Sequence, residues 1–430
     1  MRCWGLILAG IVLTLGGCSH TKIAIREAKE GGKTTVEIEN KLFKTVLVPE
    51  IARLPLSYFF KTTGHEEMIH PVSLNTPNED FVYYGGVIDS IPWVSGQVGD
   101  VRLPDKGYLY SSPWTFKTGR NKNSVWFRGQ TSFSYHDPVT GKPATLLFSK
   151  EMRGYAGSTQ LRMDYRIKNI GKTDAKFTFC MHARAGVAKW DKGDYFYAPG
   201  TNCFVYYMNN MTELERQGLR PPCWTNWPLK EAMDLQPQED PRNIHVILPA
   251  DWSMVGDEKY LENLFFVASK VKCGAKESQM KMGIFMTNAG YVVEPCLTYS
   301  ISGSPVEWSA PGTTLLLGEG EECTFSIHLV AYQGLSKSQI PQIHAVYPEC
   351  LFLDKPKKAA VPGGMKLEGR MAFPASGTLA VEAGGGTLRE CSVSPGIFDL
   401  ATLGVFPADK GRTISLRFQT AAGVVRLAIE

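Results

Sequence analysis

The stretch "QLRMDYRIKNIG" (Gln160–Gly171) has the most regular pattern in the sequence. Its apolar residues Leu161, Met163, Tyr165 and Ile167 alternate with charged residues. Successive side chains of a β-strand point to opposite faces, so this period of two predicts a strand with one buried face and one face in water. Such strands are typical of antiparallel sheets that cover a core on one side.

Strand patterns of this kind recur along most of the chain. We predict further strands at Thr34–Asn40, Lys44–Pro49, Ser124–Tyr135, Ala144–Met152, Lys176–Gly186, Asn243–Pro249, Asn263–Val271, Lys281–Asn288, Gly290–Ile301 and Cys323–Tyr332. Only two short segments, 211–218 and 336–351, have a helical pattern. Many hairpin-linked strands with almost no helix between them exclude a doubly wound α/β fold. The sequence therefore predicts an all-β, antiparallel sandwich.

Composition divides the chain into segments. Its 430 residues exceed the usual size of one domain. We predict a main β domain over 33–353 and a linker over 354–364, where the sequence "DKPKKAAVPGG" is rich in Lys, Pro and Gly. Short Gly-rich strands over 365–430 predict a small C-terminal β module, which we expect to dock against the main domain.

The N-terminus predicts export from the cytoplasm. Residues 1–17 contain Arg2, an apolar run of about ten residues and then small residues, which is too short to span a bilayer and is typical of a signal peptide. The ending "LGGC" resembles the lipobox of bacterial lipoproteins, which implies cleavage before Cys18 and a lipid anchor on that cysteine. We therefore expect residues 18–32 to form an anchor and linker and the protein to be lipid-anchored in the cell envelope, at the outer membrane or the periplasmic face. An ordinary secretory signal with a chance cysteine is the alternative.

Charge and cysteine content limit the partners. The net charge is only +4, and the basic residues form no run or stripe, so we expect no nucleic-acid partner. Beyond Cys18, eight cysteines are widely spaced with no C-x-x-C motif. An oxidising compartment permits one or two disulfides among them. No closely spaced pair of metal ligands occurs, so we expect no metal and no cofactor.

Four stretches in a fixed order resemble the galactose mutarotase-like, or aldose 1-epimerase-like, superfamily. They are "TTVEIENKLFKTVLVPEIARLPLSYFFKTTGHEEM" (34–68), "YYGGVIDSIPW" (83–93), "LRMDYRIKNIGKTDAKFTFCMHARAG" (161–186) and the segment from "GYVVEPCLTYSI" to "CTFSIHLVAY" (290–332). The resemblance covers roughly 33–332. It implies a β-supersandwich that binds sugars on a concave sheet face, and hence a carbohydrate partner.

The resemblance also suggests site residues. Alternation in the segment 177–184 places His182 and Arg184 on one strand face and Phe179 and Met181 on the other. The superfamily pattern implies that His182 protonates the sugar ring oxygen. It implies that Glu294, in "YVVEP", takes the proton of the anomeric hydroxyl from the opposite side. Alternatively, His182 is a hydrogen-bonded sheet residue, and Glu294 is a solvated residue or a partner of Arg184.

One catalytic element of the family is missing from the sequence. Active aldose epimerases have an earlier histidine in an "H-G" motif, which does not occur here. The sequence "HDPVTG" after Tyr135 predicts a hairpin turn at His136, so Arg128 is the better candidate for a hydroxyl-binding cation. Trp93 and Trp190 are the aromatic residues that we expect to stack on a sugar ring.

Three functions remain open on this basis. The first is a carbohydrate-binding lipoprotein that holds a sugar on the concave sheet face. The second is an active aldose 1-epimerase or a related polysaccharide-processing enzyme. The third is a non-catalytic envelope protein in which the fold serves only for interaction.

Overall fold

A computed structural model describes most of the chain. The described residues are 22–68, 85–92, 97–98, 101–102, 109, 114–187, 193–200, 202–207, 223–226, 233–234, 244–287, 290–299, 312–407 and 413–429. They are nearly all in strands, which confirms the predicted all-β class. Every strand pair recorded among them is antiparallel, and the helical segments with described bounds are short 3₁₀ turns at Pro49–Ile51, Lys337–Gln342 and Leu400–Leu403. None of the helices in this part of the chain is long and apolar enough to cross a membrane.

The largest sheet has eleven strands. Nine follow one path, in the order Met233–Asp234, Asp194–Tyr197, Trp252–Asp257, Glu262–Ala268, Glu322–Gln333, Leu161–Asn169, Pro143–Tyr155, Ser124–His136 and Thr115–Arg120. Val271–Cys273 and Lys276–Ser278 complete it at the side of Glu322–Gln333. The strand Leu161–Asn169 is central, and its burial alternates as its sequence predicts.

A seven-stranded sheet forms the opposite layer. Its order is Cys223–Asn226, Asn202–Tyr207, Ile244–Pro249, Lys281–Thr287, Gly290–Cys296, Cys180–Ala183 and Val87–Ser90. Apolar side chains of the two large sheets meet in one continuous core, with Phe127 and Phe148 on one side and Met181 and Ile284 on the other. The main domain is therefore a two-layer sandwich.

Smaller sheets complete the main domain. A five-stranded sheet near the N-terminus consists of Ala24–Glu30, Lys33–Glu39, Phe43–Val48, Arg53–Phe60 and His65–Glu66, and it contributes to the same core. Two pairs of strands are Ala175–Phe177 with Leu315–Leu317 and Gln97–Val98 with Val101–Arg102. The segment 18–32, predicted as an anchor and linker, thus contains a paired strand.

Two sequence predictions of secondary structure are wrong. The single strand expected at Lys176–Gly186 is two strands in different sheets, Ala175–Phe177 and Cys180–Ala183. The chain passes between them at Thr178, whose N–H donates to the carbonyl of Pro92. The helix expected over 336–351 is a single 3₁₀ segment followed by strands, because Pro341 cannot donate to a helical ladder. The helix expected at 211–218 lies outside the described residues.

The C-terminal residues form a separate β structure. One four-stranded sheet contains Ala345–Tyr347, Cys350–Phe352, Arg370–Phe373 and Gly396–Asp399. A three-stranded sheet contains Lys357–Val361, Gly364–Glu368 and Val405–Phe406. A second four-stranded sheet contains Gly386–Val393, Gly377–Ala383, Ile414–Gln419 and Val424–Ile429. Their apolar core includes Cys350 and Phe352, which precede the predicted boundary at 365. The predicted linker, 354–364, contains the strand Lys357–Val361.

The C-terminal structure packs on the outer face of the eleven-stranded sheet. An apolar cluster joins Phe265 and Val330 of that sheet to Leu351, Leu353 and the neighbouring 3₁₀ segment. The N–H of Thr159 also donates to the carbonyl of Pro374 across this contact. The docking expected from the Gly-rich composition is therefore present.

Candidate functional site

His182 and Glu294 lie side by side on adjacent strands of the seven-stranded sheet. Cys180 is opposite Cys296 and Ala183 is opposite Val293, which places His182 opposite Glu294. Nδ1 of His182 is 2.6 Å from Oε1 of Glu294, and the two side chains are 3% and 1% exposed. Contacts between an imidazole and a carboxylate are stronger where water is excluded. The structure thus brings together the two residues predicted as acid and base.

The pair projects away from the core of the sandwich. Met181 and Ala183, the sequence neighbours of His182, belong to the central core. Alternation therefore directs His182 to the other face of its sheet, as its sequence predicts. The two side chains contact each other directly, and the placement of acid and base on opposite sides of a sugar stays a prediction.

Arg184 follows this strand and is also buried, at 4% exposure. Its backbone N–H donates to the carbonyl of Gly86 at 3.0 Å. Gly86 has a φ of +72°, and a Cβ there would lie 2.7 Å from the carbonyl oxygen of Pro55. Only glycine fits this conformation and this close approach. Gly86 therefore allows the start of the edge strand Val87–Ser90 to lie close to Pro55 and Leu56, while its carbonyl accepts the Arg184 N–H.

A disulfide adjoins the pair on the same face. Cys180 and Cys296 are bonded to each other, as are Cys273 and Cys323 in the eleven-stranded sheet. Among the cysteines whose side chains the structure describes, these two bonds agree with the expected one or two disulfides. The donor atoms of Cys180, Glu294 and Cys296 lie within 4.8 Å of one another, as metal ligands do. Bonded sulfurs offer no thiolate, however, so this set does not fit a metal in the oxidised protein.

Buried acids lie just beyond Arg184. The N–H of Gly186 donates to the carbonyl of Glu67 at 3.0 Å. Burial raises the pKa of the Glu67 carboxyl well above its ordinary value, and the nearby charges of Glu262 and Asp194 raise it further. Nδ1 of His65 lies 2.7 Å from Oε1 of Glu262. Sequence reasoning missed this group, because its members are far apart in the chain and carry no motif.

Replacing Glu67 by glutamine is expected to make stability less dependent on pH. With a raised pKa, the native state holds a proton that the unfolded state releases above its ordinary pKa of 4.5. The free energy of unfolding therefore falls as the pH rises beyond that value, and an amide, which does not titrate, removes this component. Urea unfolding at a series of pH values measures the slope. Glu319→Gln, at an exposed position, is the control, and equal slopes in the wild type and Glu67→Gln would contradict the assignment.

The structure does not bring Arg128 to His182. Arg128 follows the core residue Phe127 in the strand Ser124–His136, so it projects from the outer face of the eleven-stranded sheet. Its side chain is 57% exposed and forms an ion pair with Glu151. Its guanidinium lies 4.4 Å from the centroid of the Trp126 ring. His182 is on the outer face of the other sheet, so the predicted role of Arg128 in that site is wrong.

An open groove of about 600 Å³ lies over Arg128 and its neighbours. Its charged side chains are mostly paired, as Arg128 is with Glu151 and Arg166 with Glu322. Mixed, paired charges are typical of a solvated sheet face. The buried pair His182–Glu294 is therefore the better candidate site. Trp93, Trp190 and Cys18, predicted for sugar stacking and lipidation, lie outside the described residues.

Comparison with known proteins shows the fold. The sequence matches no family model and no curated protein. A proposed aldose 1-epimerase from Klebsiella pneumoniae superposes with a TM-score of 0.53 at 13% identity, covering 74% of this chain and 84% of that one. A galactose mutarotase-like protein from Clostridium acetobutylicum gives 0.50 at 11% identity, covering 73% and 99%. The main domain thus has the galactose mutarotase-like fold that the sequence resembles.

Proposed function

We propose that the main domain binds a carbohydrate at the sheet face that carries His182, Arg184 and Glu294. The observation that supports this most is the buried contact between His182 and Glu294. Sugar sites combine apolar walls with a few fixed polar groups. Here the guanidinium of Arg184, just after one strand, offers donors, and the carboxylate of Glu294, on the adjacent strand, offers acceptors. Because these side chains are buried, a sugar must displace part of what covers them.

A second candidate function is catalysis of anomer exchange. Ring opening moves one proton onto the ring oxygen and one off the anomeric hydroxyl, and both oxygens are bonded to the same carbon. An acid and a base that lie next to each other can therefore serve both oxygens. The 2.6 Å contact between His182 and Glu294 supports this candidate. Binding alone needs no such proton exchange and stays the first proposal.

NMR titration with mono- and oligosaccharides tests both candidates. Binding is expected to shift signals of the His182 face, and His182→Asn or Glu294→Gln should weaken it. Arg128→Gln is the matched control, because Arg128 lies on the outer face of the other sheet. An anomer exchange that the wild type accelerates and Glu294→Gln does not would establish catalysis. No binding of any saccharide at millimolar concentration would rule out both functions. The third function, a non-catalytic envelope protein that serves for interaction, would then remain.

The lipid anchor is also a proposal. We propose that Cys18 is acylated after removal of residues 1–17 and that the domain thereby stays at the cell envelope. The support is the "LGGC" sequence at the end of a short apolar run. Acyl chains at one cysteine supply enough buried CH₂ groups for stable attachment. Cys18→Ala should move the protein out of the membrane fraction, and an unchanged distribution would contradict the anchor.

A further inference from the structure

We propose that the Cys180–Cys296 disulfide is a positioning element that keeps His182 in contact with Glu294. The disulfide joins the two strands that carry this pair, and its cysteines are 116 residues apart in sequence. That His182 and Glu294 bind a sugar rests on the proposed function. The contact between their side chains is seen in the structure and does not depend on that function.

Three side-chain pairs follow one another on this face. The hydroxyls of Thr178 and Thr298 are in hydrogen-bond contact, Cys180 and Cys296 are covalently joined, and His182 meets Glu294. Each pair is two residues from the next, as the period of a strand requires. The disulfide is thus the next side-chain pair to His182–Glu294 along these two strands.

The direct ladder between the strand of His182 and the strand of Glu294 is short. The strand of His182 has only four residues, Cys180–Ala183, and its ladder to the strand Gly290–Cys296 records two residue pairs. Its neighbour on the other side, Val87–Ser90, is equally short. A slip of one residue turns every side chain of a strand to the opposite face. Such a slip would place His182 in the core and leave Glu294 without this partner.

The surroundings of the disulfide fit a mechanical role. Cys180 and Cys296 are fully buried in a small apolar cluster with Ile247. A covalent bond there fixes the spacing of the strands without adding a polar group to the site. A contact between imidazole and carboxylate tolerates a misplacement of only about 0.5 Å. The disulfide therefore supplies the precision that the short ladder lacks.

The second disulfide provides a matched control. Cys273 and Cys323 also face each other across adjacent antiparallel strands, with Cα atoms 4.1 Å apart against 4.2 Å for Cys180 and Cys296. They lie in the eleven-stranded sheet. Replacing Cys273 and Cys323 removes one cross-strand disulfide of similar geometry. The strands of His182 and Glu294 stay joined by the Cys180–Cys296 disulfide.

The test compares the full chain with the double variants C180A/C296A and C273A/C323A. The readouts are the through-space proton NMR signal (nuclear Overhauser effect) between the His182 ring and the Glu294 side chain, which lie in contact, and the affinity for the saccharide found in the titration. In C180A/C296A we expect this signal to disappear and the affinity to fall on the order of tenfold. In C273A/C323A both should be retained. Retention in both variants, or loss in both, overturns the proposal.

Two further arms keep the outcome decisive. If C180A/C296A does not fold, C273A/C323A is treated with dithiothreitol instead. The reagent reduces the Cys180–Cys296 disulfide to two thiols and is itself oxidised to a cyclic disulfide. Loss of the His182 signal and its return on reoxidation support the proposal, and an unchanged signal overturns it. If the wild type binds no saccharide, the proposed function fails, while the proton signal still decides whether the disulfide positions the pair.

Discussion

Replacing Lys150 by methionine is expected to lower the free energy of unfolding by about 3–5 kcal/mol, the usual cost of removing one partner of a buried ion pair. Nζ of Lys150 donates to Oδ2 of Asp89 at 2.7 Å and to the carbonyl of Leu54 at 2.6 Å. The hydroxyl of Tyr165 donates to the other carboxylate oxygen at 3.1 Å. This network joins the two large sheets, and methionine leaves the Asp89 charge buried without its cation.

Denaturant unfolding of the wild type and variant measures this loss. Burial lowers the pKa of Lys150, and the adjacent Asp89 carboxylate opposes that shift. The ion pair thus offsets part of the free-energy cost of burying the ammonium group. Lys172→Met is the control. Lys172 pairs with Glu319 at the surface, where it is 89% exposed, and removing such a pair costs less than about 1 kcal/mol. A similar small loss in Lys150→Met would show that the buried pair does not stabilise the sandwich.

Replacing Phe179 by alanine is expected to cost about 3–5 kcal/mol, the range measured for large aromatic residues in cores. The Phe179 ring is fully buried. Its centroid lies 5.5 Å from that of Tyr165, 5.1 Å from Phe325 and 6.1 Å from Phe148. Alanine leaves a cavity between two sheets whose other side chains are fixed by their strands, so the core cannot readily collapse around it.

Thermal or denaturant unfolding again provides the measurement. Phe116→Ala is the matched control, because the Phe116 ring also stacks on an aromatic neighbour, Phe127, at 5.3 Å but is only half-buried. We expect a clearly smaller loss there, since less apolar surface leaves the core. Equal losses at the two positions would mean that Phe179 does not hold the two layers together.

The strand pattern was predictable over much of the main domain. The strand Leu161–Asn169 and the hairpin Ser124–His136 with Pro143–Tyr155 follow their sequence alternation closely. The segment Lys176–Gly186 did not, although its alternation is also regular. A strand pattern does not show where the chain leaves one sheet for another, because the crossing at Thr178 depends on a hydrogen bond to Pro92.

The candidate site was predictable in part. Alternation correctly placed His182 on the face opposite Met181, and the superfamily resemblance selected Glu294. Neither indicated that the two side chains touch, because the register between distant strands is a property of the assembled sheet. The prediction for Arg128 rested on its chemistry alone. Its strand directs the side chain to the outer face of the eleven-stranded sheet, on the other side of the sandwich from His182.

Local periodicity thus established the all-β class of this protein and which side chains share a strand face, since side-chain direction follows from backbone geometry at each position. Assembly of the sheets settled the rest: Glu294 opposite His182, Cys180 bonded to Cys296, Lys150 against Asp89, and Arg128 on a different sheet from His182. These relations join residues many positions apart in the sequence. Their geometry depends on how strands pair and layers pack, and no single stretch of the chain contains that information.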